Sequence, residues 1–134
     1  MTKNLDPRLA EECLPVINLG VCRVYLQNNS NFPWLILVPI RDSITEIYQL
    51  SNDDYEQMAR EIRMVTKQFA EFTSADKMNV ATLGNVVPQL HVHIIARFND
   101  DKAWPNPVWN CGIPPVPYSE EKAESLTREL REIL

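Results

Sequence analysis

The chain has 134 residues, 45% hydrophobic and 23% charged, which suits one soluble globular domain (residues 1–134) with a single core. A formal net charge of −5 supplies no basic patch, which argues against nonspecific nucleic-acid or anionic-membrane partners. No apolar run reaches the roughly 20 residues that cross a bilayer, and Met1 to Asp6 lack a signal peptide's apolar stretch, so a cytoplasmic protein is expected.

In chain order, Asp6-Pro7 is a helix start, an acceptor for first-turn N–H groups followed by a proline suited to the first helical position. That helix should end before Pro15. Residues 22–26 alternate and are β-rich, 27–31 form a polar turn, and 34–38 are an unbroken apolar strand closed by Pro39, implying burial on both faces. Ser51 and Asp54 resemble a capping box. Behind them Tyr55, Met58, Ile62, Val65, Phe69 and Phe72 recur every three or four residues, one stripe on a helix of about six turns. Residues 78–83 and 90–98 read as two strands joined by a turn at Gly84-Asn85. The Pro- and Trp-rich segment 100–117 reads as a structured loop, and Ser119 caps a last helix with a stripe of Ala123, Leu126, Leu130 and Ile133. Helices and strands are segregated, so the fold class is α+β, with an antiparallel sheet carrying helices. Cys13, Cys22 and Cys111 are odd in number and far apart, which speaks against disulfides or a thiolate zinc site and for buried, idle thiols.

The only two histidines, His91 and His93, lie two residues apart. On a strand, Gln89, His91 and His93 project from one face, while Leu90, Val92, Ile94 and Ala96 face the core. Three readings compete. The pair can be ordinary polar residues on a strand. It can supply two imidazole ligands to a metal, with Cys111 or a carboxylate completing the set. Or one neutral imidazole can attack phosphorus while its neighbour donates to a phosphate oxygen or leaving group.

The run Gly84 to Ile95, containing Gln89-Leu90-His91-Val92-His93-Ile94-Ile95, resembles the histidine-triad signature His-φ-His-φ-His-φ-φ, where φ is apolar. The likeness extends to 33–39, to 44–50 and to Asn79, and covers most of residues 20–100. It implies a five-stranded antiparallel sheet with one long helix and shorter terminal helices, and a homodimer formed by joining two such sheets. It also implies attack on the α-phosphate of a nucleotide conjugate by the middle histidine, His91, through a nucleotidyl-histidine, with His93 assisting at the phosphate or leaving group. By the same resemblance Asn28 or Asn29 meets the ribose, and Asn79 and Asn85 fall near the phosphate. Two positions depart from the pattern: Gln89 replaces the first histidine, and Trp34, a candidate to stack the base, replaces an upstream one. Neither can titrate near neutrality. The expected partner is a nucleotide or nucleotide conjugate. No cofactor or metal is required, and Mg²⁺ is compatible with a polyphosphate substrate. A dimer that binds nucleotides without turnover is the alternative. Arg97, on the parity of His91 and His93, can meet phosphate or pair with Asp100 or Asp101. Trp104 and Trp109 can wall the base or simply pack their loop.

Overall fold

A computed structural model describes residues 5–134; residues 1–4, on which the reading of the leader partly rests, lie outside it. Helix α1 (Pro7–Glu12) is capped by Asp6, whose carboxylate accepts from the Arg8 N–H. It runs directly into β1 (Cys13–Asn18), followed by β2 (Cys22–Gln27), β3 (Trp34–Pro39), a 3-10 turn (Ile47–Gln49), α2 (Asn52–Thr73), β4 (Lys77–Ala81), β5 (Val92–Arg97) and α3 (Glu120–Ile133). The strands form one antiparallel sheet in the order β1-β2-β3-β5-β4.

Strand β1 is the element the sequence hid. Pro15 cannot donate to a ladder, and it is tolerated here because β1 is an edge strand whose register slips between Pro15 and Ile17. The bulge breaks the alternation that would have marked a strand. β4 and β5 are also shorter than expected. The connection is not a tight turn but the whole of 82–91, bent at Gly84, whose φ of +71° lies in the left-handed region that favours glycine.

The sheet is covered on both faces. Towards α2 and α3 lie Leu35, Leu37, Leu90, Val92, Ile94 and Ala96, packed with Met58, Val65, Phe69 and Leu130. Each such aliphatic or aromatic side chain contributes about 1.5–3 kcal/mol on burial. The ends of the expected α2 stripe do not join them: Tyr55 is 49% exposed and Phe72 37%. Glu61, buried in the same helix, accepts from the N–H groups of Val21 and Cys22 at 2.9 and 2.8 Å and ties α2 to the β1–β2 turn. A side chain on Gly20 would stand 3.0 Å from that carboxylate.

The other face carries Tyr25, Trp34, Ile36, Val38 and Ile95 under Leu9 of α1 and under Ala103 and Val108 of the loop after β5. All six residues of β3 are buried, as its apolar run implied. No helix among the described residues is long and apolar enough to cross a membrane. The three cysteines form no disulfide; Cys13 and Cys22 are buried, and burial pushes the Cys13 thiol up to about 12.

Candidate functional site

At the end of the sheet where β5 begins, α1, the 82–91 connection and the loop after β5 enclose a cleft of about 400 Å³. That is within the usual range for small-molecule sites. His91 and His93 lie on its floor, their ring centroids 4.8 Å apart and their planes at 73°. Both are nearly buried, at 5% and 6% exposure.

Each ring has one nitrogen committed, and the two commitments are opposite. His91 Nδ1 lies 2.7 Å from the Gln89 carbonyl oxygen. A carbonyl only accepts, so Nδ1 carries the proton and Nε2 keeps its lone pair. His93 Nδ1 instead receives the indole N–H of Trp34 at 3.0 Å. An indole only donates, so the His93 proton resides on Nε2. The site therefore sets the Nε2 lone pair of the neutral His91 tautomer beside the Nε2–H donor of His93.

Burial, reinforced by the neighbouring His91 ring, pushes the His93 imidazole down to about 3 from its usual 6.5. Above pH 6.5 this ring is neutral folded or unfolded and contributes no pH dependence. As pH falls towards 3 the unfolded chain takes up a proton that the folded ring refuses, so stability declines across that window. The His93 ring carbons should hold constant NMR shifts from about pH 8 to about pH 4. A midpoint near 6 would contradict the assigned hydrogen bond.

The expected site residues divide. His91, His93, Trp34 and Asn85 all line the cleft. Gln89 lies on the same side of the sheet but lines an adjoining cleft, with Tyr25 and Val38, rather than the histidine cleft. Its side-chain oxygen accepts from the Asp6 N–H at 2.7 Å, and it borders the adjoining clefts with Leu5 and Arg41. Its contribution to the histidine pair is its backbone carbonyl.

The side chains of Asn28 and Asn29 turn to the segment before α3, accepting from Tyr118 N–H at 2.9 Å and Val116 N–H at 3.4 Å. Asn79 accepts from Arg97 Nη1 at 2.9 Å. Arg97 is not an exposed strand-end residue: it is 1% exposed and chelates Asp101 through Nε and Nη2. The same guanidinium donates to the Asn106 carbonyl and lies 5.6 Å from the Trp104 ring. It thereby staples the loop that carries Trp109 into the cleft, where that indole meets His93 edge-on at 5.0 Å. Of the two loop tryptophans, Trp104 packs the loop and Trp109 walls the site.

Sequence reasoning missed Arg8 and Gln27, which also line the cleft. Arg8 donates to the Val86 carbonyl at 2.7 Å, latching α1 onto the 82–91 connection. Asp6-Pro7 signalled a helix but carried no signal of where it would dock. Among the described residues, no three His, Cys, Asp or Glu side chains are placed to hold a metal ion.

This architecture, with a His-φ-His pair where the strand beside the central β3 begins, is that of the histidine-triad proteins. Residues 11–100 match the family model described as the HIT domain. The chain belongs to the histidine-triad family. It is similar to a histidine triad protein from Sinorhizobium meliloti, with 39% identity, a TM-score of 0.94, and coverage of 100% of this chain and 99% of that one. A histidine triad protein from Marinobacter aquaeolei is 43% identical, with a TM-score of 0.93 over 97% of this chain and 94% of that one. The fold also matches the diadenosine triphosphate hydrolase of Plasmodium falciparum at 14% identity and a TM-score of 0.67, over 88% of this chain and 74% of that one. No curated protein matches.

Proposed function

We propose that this chain is a nucleotide hydrolase or nucleotidyl transferase that cleaves a nucleoside monophosphate conjugate, a phosphoramidate or phosphoanhydride, at its α-phosphate. His91 Nε2 attacks phosphorus, a nucleotidyl-histidine forms, and water or a second acceptor resolves it. His93 Nε2–H steadies the charge that develops on the phosphoryl oxygens. The Gln89 carbonyl orients the nucleophile, Asn85 and the surrounding connection border the phosphate, and Trp34 and Trp109 flank the pair.

The single observation that supports this reading is the opposite polarity of the two imidazoles, one lone pair and one N–H facing the same cleft. The fold relationship to a diadenosine triphosphate hydrolase fits it. Intact-protein mass spectrometry after rapid mixing with an adenosine 5′-phosphate conjugate should show one added nucleotidyl group, mapping to His91. Binding without any adduct or turnover would instead favour a nucleotide-binding regulatory protein, a reading to which the non-titratable Gln89 and Trp34 lend some weight.

The proposal includes pairing of two copies through β4. That strand is an edge of the sheet, and Val80 on it is 46% exposed, with Leu83 (45%) and Tyr55 (49%) also exposed. Sedimentation should give a dimer that Val80→Asp weakens; a wild-type monomer at micromolar concentration would refute it.

A further inference from the structure

We infer that the hydrogen bond from Trp34 to His93 restricts this site to conjugates whose leaving group departs as an anion, such as mixed anhydrides and esters of acidic hydroxyls, rather than phosphoramidates of basic amines. The inference rests on the catalytic reading above and narrows its substrate class.

A basic amine leaves phosphorus only after its nitrogen has been protonated, so the site must hold a competent acid. His93 is the side chain placed to act there, and the geometry withholds it. Protonating His93 at Nδ1 would set two donors, that N–H and the Trp34 N–H, against each other across 3.0 Å. Trp34 has little room to turn away, being 8% exposed and held edge-on by Trp109 at 5.9 Å. Burial acts in the same sense, holding the ring neutral far below neutrality. The neutral Nε2–H donates a hydrogen bond but is a very weak acid.

The other groups facing His93 do not replace it in this role. His91, immediately before the same strand, is spent as the nucleophile. Arg8 on α1 is a permanent cation paired with Asp6 at 3.0 Å, and Glu12 sits exposed at the rim. Gln89 does not titrate, and its oxygen is engaged by the Asp6 N–H.

The His91 Nε2 lone pair forms the N–P bond while the bond from phosphorus to the leaving oxygen breaks. That oxygen carries its electron pair away as an anion, and His93 keeps its proton. Water then forms a new P–O bond, the N–P pair returns to His91, and the proton released from water passes to solvent.

The test is the single-turnover rate of adduct formation with adenosine 5′-aryl phosphates of increasingly basic phenols, and with adenosine 5′-N-propylphosphoramidate. In the wild type the 4-nitrophenyl ester should react at least about 10²-fold faster than the phenyl ester, the scale on which general-acid help is worth its usual effect. The propylphosphoramidate should give no adduct. Nitrogen NMR should place the His93 proton on Nε2. Trp34→Phe and Trp34→His should each release that tautomer, and Trp34→His should flatten the leaving-group dependence by about tenfold or more, with amine release rising as pH falls.

A shallow dependence in the wild type, or ready cleavage of the propylphosphoramidate, overturns this inference while leaving His91 catalysis intact. Failure of every conjugate to modify His91 overturns the catalytic reading and this inference with it. The wild-type series decides the matter even if both Trp34 variants fail to fold.

Discussion

His91→Ala is expected to lower turnover of a nucleoside monophosphate conjugate by roughly 10⁴–10⁶-fold, the scale of loss when a covalent nucleophile is removed. At about 1.4 kcal/mol per tenfold, the lower end corresponds to about 5.5 kcal/mol of transition-state stabilisation. The variant should fold normally, because His91 lies just before the first laddered residue of β5 and its ring hydrogen-bonds only a carbonyl two residues away. His93→Gln should lose less, about 10²–10⁴-fold, since an amide N–H can still reach a phosphoryl oxygen. The measurement is single-turnover release of the nucleotide together with the adduct mass. Wild-type rates in His91→Ala would end the catalytic reading.

Arg97→Met is expected to destabilise the fold by about 3–5 kcal/mol, because it strands the Asp101 carboxylate in a site built for a pair. The two side chains are 2% and 7% exposed, so solvent can do little to replace the lost partner. Asp101 is also the acceptor for the N–H groups of Phe98, Ala103 and Trp104. Burial by itself would raise its carboxyl, but the hydrogen bonds from Arg97 and the backbone hold it down at about 2. The double variant Arg97→Met/Asp101→Leu should therefore be more stable than Arg97→Met alone. Urea denaturation checks both. A loss below about 1 kcal/mol would show that the loop holds without the staple, since that is the scale of an exposed pair. The functional companion is the position of Trp109: a loosened loop admits water to His93 and moves its NMR titration midpoint upward.

Local periodicity determined much of this protein. The centre of the α2 stripe, Leu130 of the α3 stripe, the apolar run of β3, the caps at Ser51 and Ser119, and the parity of Val92, Ile94 and Ala96 are short-range properties, and each reappears in the structure. So does the proximity of His91 and His93, because two residues with one between them in extended backbone cannot be far from each other. The pattern failed where a strand was irregular. Pro15 and the adjacent bulge concealed β1.

What only the tertiary structure decided is the protonation of the site. The atom that directs the His93 proton belongs to Trp34, 59 residues earlier, brought alongside by the pairing of β3 with β5. The latch from Arg8 to Val86 spans 78 residues, and the link from Arg97 to Asn79 spans 18 across the β4–β5 pair. Such contacts leave no periodic trace, since a hydrogen bond between distant segments depends on where the chain returns in space. Sequence alone thus located the histidine pair. The fold decided which nitrogen of each ring is left free of its hydrogen bond to Trp34 or to the Gln89 carbonyl, because that is settled by the single donor or acceptor packed behind it.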